Sequence, residues 1–141
     1  MEKTVILMLG CSGSGKSTKA KQHMAGVEGA VLVSADHFFL QDGKYNFDPV
    51  KLGRAHSACQ AKFLGYVKEE KPLIIVDNTN TTNRERRFYV DVAKHWGYKV
   101  MVDVLSADLN DCAARNIHGV SREVVDKQAS RIDLNPGFYE V

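Results

Sequence analysis

Residues Thr4-Val5-Ile6-Leu7-Met8-Leu9-Gly10-Cys11-Ser12-Gly13-Ser14-Gly15-Lys16-Ser17 decide the fold, because an apolar run opens there into G-x-x-x-x-G-K-[ST]. A strand followed by a glycine-rich turn and a helix is the context in which this pattern makes a phosphate-binding loop. Gly10, Gly13 and Gly15 let successive backbone N–H groups converge on one concavity that holds phosphate oxygens. A helix is predicted from Lys16, and the partial positive charge of its N-terminus adds to the anion site. Lys16 can then reach the outer phosphates, and the Ser17 hydroxyl is placed to ligate Mg²⁺. Cys11, Ser12, Ser14 and Thr18 complete the stretch expected to bind the nucleotide. The expected ligand is a nucleoside triphosphate with Mg²⁺.

With 141 residues, the chain fits one domain, 1–141, able to bury a substantial core. Its 44% hydrophobic and 26% charged content is that of an ordinary globular protein. No apolar run approaches the ~20 residues of a membrane span, and no secretory leader is visible, so a soluble chain is expected. Cys11, Cys59 and Cys112 are odd in number and lack C-x-x-C spacing, against both a disulfide framework and a zinc site. A reducing, cytoplasmic compartment is the simplest expectation. A net charge of +2 is too small to announce nucleic acid, so a polynucleotide would have to be held by a local patch.

Outward from the loop, apolar runs alternate with helical patterns in β-α-β order, predicting an α/β fold with helices on both faces of a parallel sheet. Four core strands are expected at about Thr4–Leu9, Ala30–Ser34, Leu73–Asp77 and Tyr98–Leu105. One helix runs from Lys16 toward Ala25. Asp48-Pro49 reads as an N-cap and first turn opening a second through Glu70, with Leu52, His56, Cys59, Phe63 and Val67 mostly in the core. Thr82-Asn83-Arg84-Glu85 fits a capping box for a third, burying Phe88, Val92 and Trp96 and stopping at Gly97. Shorter helices are expected over about Asp108–Asn116 and from Ser121. The tail Asn135–Val141 reads as either ordered or frayed.

In such sheets ligands gather at the carboxyl ends of the strands. The second strand ends in Ser34-Ala35-Asp36-His37, where Asp36 is either a base accepting the proton of an attacking hydroxyl or an ordinary capping aspartate. The third ends in Val76-Asp77-Asn78-Thr79-Asn80, where Asp77 is either a Mg²⁺-side acid or part of a capping turn. Late in the chain, Arg115 and the run Ile117-His118-Gly119-Val120-Ser121-Arg122 suit a glycine-pivoted lid whose cations close over the transferring phosphoryl group. Arg115 leads there, with Arg122 and His118 behind it; a solvated surface is the alternative. Tyr45 and Phe47 either pack against the domain or stack a base.

These residues together resemble the kinase domain of bacteriophage 5′-hydroxyl polynucleotide kinase. They resemble more closely a group of small AAA-type and zeta-toxin-like P-loop proteins. The resemblance rests on Gly10–Ser17, Ser34-Ala35-Asp36, Asp42–Pro49, Asp77–Asn80 and Arg115–Val120. It implies a three-layer, nucleoside-kinase-like P-loop NTPase with a four-to-five-stranded parallel sheet and a helical lid at about 115–124. It further implies that Asp36 activates a 5′-hydroxyl, that Lys16 and Ser17 hold ATP·Mg²⁺, that Arg115 lies in the lid and that Thr79 shapes the acceptor side. Where the phage enzyme has an arginine gripping the acceptor's 3′-phosphate, this chain has Phe39. Its lid arginine corresponds to His118. Asp77 and Asn78 both remain open as the metal-side group. The expected acceptor is a nucleic-acid 5′-end; a small-molecule kinase and a non-catalytic nucleotide switch are the other two readings.

Overall fold

A five-stranded sheet centres on β1 (Thr4–Leu9), with β5 (Leu73–Val76) and then β2 (Val31–Val33) on one side. On the other side lie β6 (Lys99–Val104) and then β7 (Gly137–Glu140). The structure, a computed structural model, describes residues 2–11, 14–41, 43–78, 80, 83–105, 123 and 135–141. Outside the described residues lie Ser12, Gly13, Thr79, Thr82, Arg115, His118 and Arg122, the helices expected at 108–116 and from 121, and, apart from Glu123, the lid.

Strands β2, β5, β1 and β6 pair in parallel, with Ile6 level with Ile75 and Met101 across the centre of the sheet. They read as near-continuous Val, Ile and Leu because both faces are covered. On one face Val5, Leu7, Val33, Ile74, Val76, Val100 and Val102 pack with α2 (Leu52–Lys68) and α3 (Asn83–His95). On the other, Ile6, Met8, Leu73 and Ile75 pack with Ala20 of α1 (Lys16–Met24). Alternate residues of each strand thus serve opposite layers, which is the three-layer architecture the sequence predicts. Full burial of a side chain such as Phe63 contributes roughly 1.5–3 kcal/mol. Among the described residues no helix is long and apolar enough to cross a membrane.

Three expectations change in detail. The fifth strand is antiparallel: β7 runs against β6 with Val102 opposite Tyr139. None of its residues is fully buried, so it leaves no hydrophobic period to read. Asp48 does cap, its carboxylate accepting from the Val50 N–H at 3.1 Å, but onto a short 3₁₀ turn, Pro49–Lys51, that precedes α2. The buried stripe of α2 is Ala55, Cys59, Phe63 and Val67, leaving Leu52 exposed. In α3 the inward stripe is Arg86, Tyr89 and Ala93. Phe88 and Val92 flank it, and Trp96, beyond the helix end, is 40% exposed.

Candidate active site

The loop after β1 turns on Gly15, whose φ of +91° lies in the region glycine enters without strain. The Ser14 N–H donates to the Cys11 carbonyl at 3.1 Å, closing the turn. Gly10 is required for a different reason: a Cβ there would lie 2.6 Å from Ser14 Oγ. Ser14 is buried, and among the described residues its hydroxyl is the only buried side-chain polar atom with no hydrogen-bond partner. An orphaned hydroxyl is unfavourable by about 1–3 kcal/mol unless a ligand meets it, and a phosphate oxygen in the loop is such a ligand. Lys16 folds back to donate to the Cys11 carbonyl at 3.4 Å, which keeps its ammonium at the loop. Thr18 follows on α1 with its side chain exposed.

β5 brings the second group. The Asp77 N–H donates to the Val33 carbonyl at 2.9 Å, so the ends of β5 and β2 are level. The Ser17 hydroxyl donates to Asp77 Oδ2 at 2.9 Å. A hydroxyl and a carboxylate in contact offer the hard oxygens that Mg²⁺ takes when phosphates and waters complete its shell. Among the described residues no group of three or more His, Cys, Asp or Glu forms a closed metal cage. Asn78 points elsewhere: its Oδ1 accepts from the Ala35 N–H at 2.8 Å, and its amide donates to Tyr89 Oη at 3.4 Å. Of the two neighbours it is therefore Asp77 that faces the loop helix, while Asn78 ties the end of β5 to the turn after β2.

Two residues that sequence reading passes over hold this corner. Asn80 sits at a φ of +51°, a conformation Asn tolerates better than most residues. Its side-chain amide donates to the Met8 carbonyl at 2.7 Å, pinning the loop after β5 to the end of β1. Arg86, buried on α3, donates to the Asn80 carbonyl at 2.8 Å. The only sequence signal for either is the turn-forming cluster Asn78-Thr79-Asn80 itself.

After β2, Ser34 caps a 3₁₀ turn, Ala35–Phe39, its Oγ accepting from the Asp36 N–H at 3.2 Å. The chain then makes a small hairpin, β3 (Leu40–Gln41) with β4 (Lys44–Tyr45), turning through Gly43 at a φ of +75°. The hairpin returns Tyr45 to Asp36, and its hydroxyl donates to Asp36 Oδ1 at 3.2 Å. Burial, then the Asp36 charge and that hydrogen bond, push the Tyr45 phenol far above its usual range, so it stays a donor at any physiological pH. Phe39 and Phe47 wedge the tyrosine, with ring centroids 6.1 and 6.5 Å from its own. Phe39, expected on the acceptor side, is buried in this cluster; its neighbour Phe38 is the exposed ring.

One strand, β5, separates β2 from β1, so the strand ends that lead to Asp36 and to the phosphate loop lie two strand spacings, roughly 10 Å, apart at the same edge of the sheet. Residues 5–134 match the AAA domain family. The chain belongs to that family. Within it, this AAA domain is 33% identical over 127 residues to NEDD4-binding protein 2 of Homo sapiens, a match covering 87% of this chain and 7% of that protein. It thus spans a small fraction of that relative's length. In fold it is similar to a chain of the Pnkp1/Rnl/Hen1 RNA repair complex, with a TM-score of 0.76, 18% identity, and coverage of 99% of this chain and 48% of that one. It is also similar to a gluconokinase from Sinorhizobium meliloti 1021, with a TM-score of 0.60, 15% identity, and coverage of 93% and 75%. The AAA domain therefore has the P-loop kinase fold, with a mostly parallel five-stranded sheet.

Proposed function

We propose that the chain is a phosphotransferase that moves the γ-phosphoryl of ATP to a hydroxyl, with the 5′-hydroxyl end of a nucleic acid as its acceptor. The observation that carries this reading is the Asp36 carboxylate, held by Tyr45 in the turn after β2, a strand that one other strand separates from β1 and the phosphate-loop helix that follows it. When bound, Mg²⁺ neutralises charge on the phosphates as the phosphoryl group transfers. Ser17 and Asp77 hold and orient that cation, while the loop amides, Lys16 and the Ser14 hydroxyl receive phosphate oxygens. Asp36 takes the proton of the incoming alcohol. The orphaned Ser14 hydroxyl and the close approach at Gly10 support a bound triphosphate. The fold likeness to the RNA repair complex supports a strand end as acceptor. Arg115 and His118 would close from the lid, and Thr79 would border the acceptor.

Labelled ATP offered with 5′-hydroxyl DNA, 5′-hydroxyl RNA and a nucleoside panel tests this directly. Label at a 5′-end is the expected product, and its absence from every acceptor sinks the reading. A small-molecule acceptor is the second reading, favoured by the burial of Phe39 where the resemblance leads one to look for a cation. Salt separates the two, because phosphate contacts along a strand weaken steeply with ionic strength and a neutral acceptor's contacts do not.

Tyr45→Phe keeps the ring in its aromatic wedge and removes only the hydrogen bond to the base. Turnover is expected to fall about tenfold, the worth of ~1.4 kcal/mol of lost positioning, with the KM for ATP unchanged. Steady-state kinetics of the variant against both substrates checks it.

A further inference from the structure

Away from the strand ends, one carboxylate is buried on the face of the sheet that α1 covers. Asp103, on β6, is 6% exposed. It follows Met101 by two positions, so alternation turns it toward the layer where Ile6, Met8 and Ile75 pack with Ala20 of α1. An ionised carboxylate can only accept, so in the hydrogen bond between His23 Nε2 and Asp103 Oδ2 the imidazole is the donor. Among the described residues His23 is the one partner of this carboxylate. His23 stands in the last turn of α1, and Phe138 of β7 stacks on its ring, with centroids 5.3 Å apart and planes 26° from parallel. Phe138 is also the residue opposite Asp103 in the β6–β7 ladder. Central strand neighbour, helix and edge strand therefore meet at one buried pair.

The pair joins the two legs of the phosphate loop. Asp103 is level with Met8 of β1, two residues before Gly10, and β1 is the leg by which the chain enters the loop. α1 is the leg by which it leaves, and His23 lies seven residues past Lys16, about 10 Å along the helix. On the other flank of β1, Asn80 holds the Met8 carbonyl. β6 thus sets Asp103 beside the incoming leg, and the outgoing leg grips it through His23. A buried charge that loses its partner is costly, while the intact pair adds little net stability over an apolar pair of the same shape. What such a pair supplies is a fixed alignment of the elements that carry it. Resting on the reading of Gly10–Ser17 as a nucleotide cradle, we propose that His23 and Asp103 are positioning residues for the triphosphate. Their hydrogen bond holds α1 at one offset from β1 and so sets the spacing of the loop amides that receive phosphate oxygens. Phe138 shields the bond from water, which would weaken it.

The test is the affinity of the folded chain for a non-hydrolysable ATP analogue with Mg²⁺, measured by calorimetry, beside stability in urea. His23→Ala and Asp103→Ala are each expected to weaken the analogue about tenfold, and the double variant by no more than either alone, because the same bond is lost in all three. His23→Gln keeps a side-chain donor and is expected to bind within about twofold of wild type. Phe138→Ala, a change at a half-exposed ring that leaves the pair in place, is expected to weaken binding about threefold, and it decides the matter should the alanine variants not fold. A contact that only supports the fold would lower the urea midpoint and leave the affinity of the folded protein unchanged, and that result overturns the inference. So do additive losses in the double variant, a His23→Gln protein as weak as His23→Ala, or wild-type affinity in Phe138→Ala. A wild-type chain that binds no analogue overturns the cradle reading and this inference with it, whereas variants that bind as well as a binding wild type overturn this inference alone.

Discussion

Asp36→Asn is expected to lower turnover by about 10²–10⁴ while ATP binds as before, the loss typical of a positioned base. The substitution is nearly isosteric, and the Asn side-chain oxygen still accepts from Tyr45, so the turn and hairpin keep their shape. What is lost is an atom able to take a proton at neutral pH. The expected kinetic signature is a fall in kcat with little change in the KM for ATP, because Asp36 sits across β5 from the loop and makes no part of the phosphate cradle. A full rate in the variant removes Asp36 from the chemistry.

The phosphate loop and its strand are legible in the sequence because both signals are local. Gly10, Gly15 and Lys16 lie within seven positions, and the apolar run before them fills β1 without interruption. The parallel sheet is legible for the same reason, strand by strand. Asn78 and Asp77 are different: both are short polar residues at a strand end, and only the direction of each side chain, one to Ser17 and one to the Ala35 N–H, tells them apart. Phe38 and Phe39 pose the same problem, since adjacent identical rings carry no periodic signal and one is buried while the other is exposed. The contact of Asn80 with Met8 spans 72 positions, and no spacing rule reaches so far. The hairpin that brings Tyr45 to Asp36 does have a local mark, the Asp42-Gly43 pair, but its strands of two residues are too short for alternation to show.

Lys16→Met should separate binding from chemistry in the opposite sense. Lys16 donates to the Cys11 carbonyl within the loop. An incoming triphosphate therefore meets an ammonium already held at the cradle, ready to exchange a carbonyl oxygen for phosphate oxygens. Methionine keeps the stem and removes the charge, so the fold without nucleotide is expected to lose no more than about 1 kcal/mol. The rise in melting temperature that ATP gives the wild-type chain should shrink or vanish, because ligand stabilisation follows the ratio of free ligand to Kd. Turnover should fall by about 10²–10³, the cost of removing one preorganised donor from developing phosphoryl charge. Thermal shift with and without ATP, run on Lys16→Met beside Asp36→Asn, gives the decisive contrast. The aspartate variant should keep the ATP-induced shift and the lysine variant should not. Equal shifts in the two would mean that the lysine does not meet the triphosphate, and the assignment of the Gly10–Ser17 loop as the nucleotide cradle would fail with it.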